Sequence, residues 1–196
     1  MAKRTAQPVR PKINQVRIIG GQWRSRKLSV PEAPGLRPTP DRVRETLFNW
    51  LAPYIQGARV LDAFTGSGAL FLEALSRGAS SGLALDANAD ATNNLRSNLA
   101  LLACETGEVL RVDTLHYLSN EAERGFDIVL IDPPFHQDLL LSSCELLECN
   151  NWLNPHAWIY TESEQAPSSL GVPNTWRLHR EKHTGQVHYA LWQKQA

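Results

Sequence analysis

From residue 58 onward the chain alternates short apolar runs with helical stretches, and this alternation restricts the fold more than any other feature. The predicted strands are 59–64, 82–86, 109–113, 126–132 and 157–161, with predicted helices near 69–77, 88–102, 114–122 and 138–149. Apolar strands joined by helices require a parallel sheet covered on both faces, because each parallel connection must cross over the sheet. The end of the chain breaks the pattern. Segments 176–182 and 186–192 alternate in polarity around a short turn at Gly185 and read as a hairpin. The fold class expected is therefore α/β and Rossmann-like: a seven-stranded, mostly parallel sheet with a C-terminal β-hairpin.

The first forty residues have a different character. Residues 1–14 are polar and contain proline. Two β-like runs within 16–30 flank Gly20-Gly21 and read as a basic β-hairpin, and residues 31–39 hold three prolines and a glycine, as an extended linker does. Thr39 followed by Pro40 predicts a helix start with Thr39 as its cap. Val43, Leu47, Trp50 and Leu51 then fall on one helical face, and Pro53 marks the end. The expected division is a tail over 1–15, a hairpin and linker over 16–38, and a main domain over 39–196.

Net charge is zero over 196 residues, but residues 1–50 carry eleven lysines and arginines against three acids. A basic head on an acidic body points to a polyanionic partner for the head. The three cysteines, Cys104, Cys144 and Cys149, form neither a disulfide framework nor a zinc pattern and read as buried free thiols. The six histidines have no metal-ligand spacing, and His179, His183 and His188 read as surface residues of the last hairpin. No apolar run follows the basic N-terminus, and no window is apolar enough to span a membrane. The expectation is a cytoplasmic monomer without a metal.

Asp62, Asp86, Asp113 and Asp132 each fall at or near the C-terminal end of a predicted strand, where open α/β sheets bind ligands. One such acid could simply cap the next helix; four in succession point to a ligand. After Asp62 the chain continues Ala-Phe64-Thr-Gly66-Ser-Gly68, then opens a helix. Glycines there allow a cofactor close to the backbone. A dinucleotide-binding Gly-x-Gly-x-x-Gly needs a small residue where Phe71 stands, which argues against hydride transfer. Asp62-x-x-x-Gly66-x-Gly68 instead resembles motif I of class I S-adenosylmethionine methyltransferases. That resemblance implies that Asp62, Phe64, Gly66 and Gly68 surround the methionine end of the cofactor. Asp86 is suited to accept both ribose hydroxyls, and Asp113 with Thr114 would meet the adenine.

Strand 126–132 ends in Asp132-Pro133-Pro134-Phe135. Consecutive prolines hold the backbone in an extended, preset shape. The tetrapeptide resembles the Asp/Asn-Pro-Pro-Tyr/Phe motif of methyltransferases that act on planar amino nitrogens. An exocyclic amine spreads its lone pair into the base and attacks poorly until it pyramidalises. The Asp132 carboxylate and the Pro133 carbonyl would each accept one N–H, and Phe135 would stack on the base. A sulfonium methyl is already electrophilic, so transfer is largely positioning and electrostatics.

Beyond these motifs, Arg37-Pro-Thr-Pro-Asp-Arg-Val-Arg-Glu-Thr-Leu-Phe-Asn-Trp50 and the C-terminal Leu178-His-Arg-Glu-Lys182 with Gly185-Gln-Val187 resemble the RsmD family, over nearly the whole chain from residue 16. The resemblance implies methyl transfer to N2 of one guanine in small-subunit (16S) ribosomal RNA, in assembled or late-assembling subunits. It also places Arg37 and Thr39 beside the cleft, with Arg24, Arg26 and Lys27 meeting phosphates. Guanine rests on that resemblance and not on spacing. The alternatives are an amino-methyltransferase of DNA or transfer RNA, one acting on protein glutamine, and a non-catalytic RNA-binding relic. A DNA enzyme would need more chain for target recognition, a glutamine enzyme usually has Asn where Asp132 stands, and a relic would carry broken motifs.

Overall fold

The computed structural model describes residues 14–30, 39–135 and 138–195. Arg37, most of the proline-containing linker and nearly all of the N-terminal tail lie outside them. Strands β1 (Asn14–Arg17) and β2 (Lys27–Val30) pair antiparallel, and helix α1 (Asp41–Leu51) follows. The main domain then runs β3 (Arg59–Asp62), α2 (Ala69–Ser76), β4 (Ser81–Asp86), α3 (Ala89–Leu101), β5 (Gly107–Arg111), α4 (Thr114–Leu118), β6 (Phe126–Ile131), α5 (Leu139–Cys149), β7 (Leu153–Ser163), β8 (Trp176–Thr184) and β9 (Val187–Lys194).

The seven-stranded sheet has the order β5-β4-β3-β6-β7-β9-β8. Its first five strands are parallel, and β9 is antiparallel to both its neighbours, as the sequence pattern predicts. From β3 the chain winds outward through β4 to β5, then returns to lay β6 on the other side of β3. This reversal opens a crevice between the C-terminal ends of β3 and β6.

Alternate residues of each strand face opposite layers. Ile128 and Leu130 pack with the apolar faces of α1, α2 and α3, including Leu47, Phe71 and Leu95. Val129 and Ile131 pack with Leu118 of α4 and with Leu140, Cys144 and Leu147 of α5. No helix among the described residues is long and apolar enough to cross a membrane.

The N-terminal hairpin differs from the expected form. Its strands have four residues each, and the connection between them covers 18–26. Gly20 and Gly21 do not make a tight turn but lie against the last turn of α2. Gly21 has φ +75°, and a Cβ there would stand 1.8 Å from the Ser76 carbonyl oxygen, so only glycine fits. The connection is fixed by Glu73, whose carboxylate accepts the Ile19 and Gly20 N–H groups at 2.8 Å each. Ser76 adds bonds to Gly20 and Trp23. Ile18 and Leu28 are buried in the same core, each contributing about 1.5–3 kcal/mol.

Helix α1 also starts differently from the expectation. Pro40 precedes its first residue and no side chain caps it, because the Thr39 hydroxyl is engaged elsewhere. Of the cysteines, Cys144 is buried, Cys104 half-buried and Cys149 exposed, so the expectation of three buried thiols holds for one.

Candidate active site

The crevice between β3 and β6 brings Asp62 and Asp132 to one place. Asp62 is the last residue of β3, only 1% exposed, and accepts a hydrogen bond from the Thr65 hydroxyl at 3.1 Å. Burial pushes its carboxyl up to about 7; the Thr65 bond opposes the rise, and the charges of Asp132 and Asp86 add to it. Asp132 follows directly after β6 and is half-buried. Its Oδ2 accepts the Thr39 hydroxyl at 3.3 Å, which places Thr39 beside Asp132. Desolvation holds the Asp132 carboxyl above the usual carboxylate range, against the pull of that bond. Pro133 is buried, whereas Phe135, three residues after Asp132, is 37% exposed.

The glycine loop turns between Asp62 and α2. Gly68 has φ +75°, and a Cβ on it would come within 2.6 Å of Leu95 Cδ1, so packing as well as backbone conformation demands glycine. Asp86, the last residue of β4, braces this loop: its Oδ2 accepts the Gly66 N–H and its Oδ1 the Asn88 N–H, both at 2.8 Å. Each oxygen keeps a second lone pair for an outside donor. Phe64 is half-buried in the same loop, and the Thr114 hydroxyl is buried in a bond to the Ala63 carbonyl.

Asp113 is a departure. β5 ends at Arg111, and Asp113 caps α4 by accepting the His116 N–H at 2.8 Å. It remains at the C-terminal edge of the sheet, but one of its oxygens serves the helix.

A further acid, Glu162, joins the site without a signal in the local sequence pattern. β7 pairs Thr161 with Ile131, so Glu162 stands in the row beside Asp132. It is 6% exposed and accepts the Tyr160 hydroxyl at 2.7 Å. Burial raises its carboxyl, and the Asp132 charge raises it further. The predicted strand ends at 161, two residues before the end of β7. Among the described residues, Asp62, Asp132 and Glu162 form no ion pair. Three neighbouring carboxylates, two buried and one half-buried, without an ion pair among the described residues favour a positively charged ligand.

The basic hairpin does not reach this cleft. Arg24, Arg26 and Lys27 are exposed, but their segment is anchored at Ser76, the far end of α2, and Arg26 reaches the Leu101 carbonyl at the far end of α3. α3 begins near the glycine loop and runs 13 residues, so Arg26 lies about 18 Å of helix away from the loop's level. Trp23 packs partly against the core. No group of three His, Cys, Asp or Glu among the described residues could hold a metal ion.

A doubly wound sheet in this order, with a glycine loop after its first strand and Asp-Pro-Pro-Phe after its fourth, defines a class I methyltransferase. The family model of Conserved hypothetical protein 95 matches residues 16–193. The chain is 51% identical to ribosomal RNA small subunit methyltransferase D of Escherichia coli over 184 residues, 93% of this chain and 91% of that protein. To the protein of the same name from Haemophilus influenzae it is 48% identical over 182 residues, 91% and 94% of the two chains. The solved structure of the Escherichia coli protein yhhF superposes with a TM-score of 0.86 at 50% identity, covering 93% of this chain and 99% of that one. The chain belongs to the Conserved hypothetical protein 95 family, the RsmD family that its motifs resemble.

Proposed function

We propose that this protein transfers a methyl group from S-adenosylmethionine to the exocyclic N2 of a guanine in small-subunit ribosomal RNA. The observation that carries the reading is Asp132-Pro133-Pro134-Phe135 at the mouth of the crevice, with Asp132 held by Thr39 and an exposed Phe135 beside it. Ribosomal RNA as substrate, rather than DNA or protein, rests on the names of the relatives and on nearly full coverage of both chains.

The residues present fit the cofactor. Asp62 and the loop of Phe64, Gly66 and Gly68 would hold its methionine end, Asp86 the ribose, and Asp113 with Thr114 the adenine. Bound there, the cofactor supplies an electrophilic methyl on a positively charged sulfur. These carboxylates favour that charge, since ionised Asp62 and Asp132, which pair with no cation among the described residues, gain a counter-ion. Asp132 and the Pro133 carbonyl then accept the two N–H groups of the target amine. Their bonds direct the nitrogen lone pair at the methyl, while Phe135 stacks on the base. The base must leave its stack to reach this position, so the substrate is extruded or already unpaired. On this reading the enzyme works in the cytoplasm, as a monomer and without a metal.

Labelled S-adenosylmethionine incubated with unmodified small subunits, free ribosomal RNA and DNA tests the proposal once products are digested to nucleosides. Label in N2-methylguanosine from ribosomal substrate is the expected result. Label in another nucleoside would overturn the guanine assignment, and label in protein alone would overturn the RNA assignment.

A further inference from the structure

The hairpin expected to meet RNA sits at the far end of α2 and α3, so a basic contact nearer the cleft has to come from other elements. The other end of the sheet supplies one. Strand β8 is the outer edge strand, and after buried Trp176 its remaining residues, Arg177 to Thr184, are all exposed. Such an edge would invite pairing with another chain unless charged, and this one carries Arg177, Arg180 and Lys182.

Register puts the three cations on one face. Arg177 stands opposite Gln193, which pairs with Trp158; Arg180 stands opposite Leu191, which pairs with Tyr160; Lys182 stands opposite Tyr189, which pairs with Glu162. Trp158, Tyr160, Tyr189 and Leu191 all belong to the core beneath α1. A bulge between Leu178 and Arg180 brings His179 to that face too, edge-on to Trp158 at 4.9 Å. Glu181, opposite Ala190, lies on the other face. Arg177, Arg180 and Lys182 form no ion pair among the described residues.

The rows rise toward the cleft. Lys182 shares a cross-strand row with Tyr189 and Glu162, and Glu162 stands beside Asp132. Three strand spacings of about 4.8 Å separate β6 from β8, so Lys182 lies roughly 14 Å from the Asp132 strand and at its level. A line of cations that form no ion pair among the described residues, leading down from the catalytic row, matches a nucleic-acid backbone.

We infer that the face of β8 carrying Arg177, Arg180 and Lys182 is an RNA-backbone contact that holds the strand flanking the target base. The inference rests on the proposed RNA substrate. The RNA enters over the C-terminal hairpin, its phosphates following β8 toward the cleft, and the N-terminal hairpin grips a more distant part of the substrate.

The test compares the wild-type chain with the triple variant Arg177→Ala/Arg180→Ala/Lys182→Ala. Affinity for small-subunit ribosomal RNA and for whole small subunits is measured across a salt series. Loss of about three phosphate contacts should reduce the salt slope by about 2–3 and weaken binding about 10- to 100-fold near 0.1 M salt. Unchanged melting temperature and cofactor affinity show that the variant is folded. Affinity within twofold of wild type, with an unchanged slope, overturns the inference. A loss confined to whole subunits, with bare RNA bound normally, also overturns it, since the surface then meets a ribosomal protein. Failure of the proposed function reads differently: the wild-type chain itself would neither bind nor methylate ribosomal RNA.

Discussion

Glu73 is the residue whose replacement should do most damage at a distance from the chemistry. It is fully buried on α2, accepts the Ile19 and Gly20 N–H groups, takes the Arg77 Nε–H at 2.7 Å, and lies 3.6 Å from Arg44 Nη1. Arg44 is itself only 1% exposed, and its Nε and Nη1 have no hydrogen-bond partner among the described residues. Glu73→Gln keeps the shape but removes the charge and one acceptor oxygen. It removes the buried one of the two carboxylates beside the Arg44 guanidinium, leaving only half-exposed Asp41 at 2.6 Å, and turns an amide NH2 toward donors. Breaking a buried pair from one side costs about 3–5 kcal/mol. For a domain of this size that corresponds to a fall in Tm of about 6–20 °C. Thermal unfolding followed by circular dichroism gives the magnitude, and hydrogen exchange at residues 18–26 gives the location, because those amides lose their acceptor first. Adding Arg44→Met should recover part of the loss, since it removes a buried charge whose one remaining carboxylate partner, Asp41, is half exposed. A Tm within about 1 °C of wild type, with unchanged exchange at Ile19 and Gly20, would refute the claim that this carboxylate pins the hairpin.

Three further outcomes follow from the cleft. Gly68→Ala forces a side chain into positive φ and against Leu95, and should cost about 1–3 kcal/mol in denaturant unfolding, with weaker cofactor binding. Asp86→Ala removes the acceptor of Gly66 N–H and Asn88 N–H, so calorimetry should show cofactor affinity reduced about 10- to 100-fold. The third concerns pH. Asp62 ionises near 7 in the fold, against about 4 for an ordinary aspartate. The free fold therefore holds the extra proton, and the stability this group contributes is fully present below pH 4 and is lost as pH rises through about 7. A cationic ligand reverses the penalty, so affinity for S-adenosylmethionine should rise about tenfold from pH 5.5 to 7.5. S-adenosylhomocysteine, which lacks the sulfonium charge, should rise much less; equal pH slopes for the two ligands would exclude Asp62 as the counter-charge.

Much of this architecture is readable from pattern. Apolar strands separated by helices specify the parallel sheet, and the alternation of 176–182 and 186–192 specifies the closing hairpin, because one-dimensional periodicity reports burial directly. Asp62, Asp86 and Asp132 are found at their strand ends for the same reason. What is not readable comes from pairing across the sheet. Glu162 becomes part of the cleft only through the register of β7 on β6, which no local pattern encodes. Glu73, inside an apolar helix, looks like a surface position until the hairpin covers it. Gly20-Gly21 reads as a tight turn, yet serves as a contact surface for α2, because glycine satisfies both needs equally well. Asp113 shows the limit of strand-end reasoning: the strand stops two residues earlier and the acid caps a helix.

The central claim is that Asp132 aims a guanine amine at the methyl donor, and single-turnover methylation of unmodified small subunits tests it most directly. Asp132→Ala is compared with wild type at saturating cofactor, with products identified as nucleosides and cofactor affinity measured separately. Wild type should yield N2-methylguanosine, and the variant should react about 10²–10⁴-fold more slowly with the cofactor still bound. A variant rate within about threefold of wild type, with cofactor binding intact, would contradict the claim and remove Asp132 from the reaction.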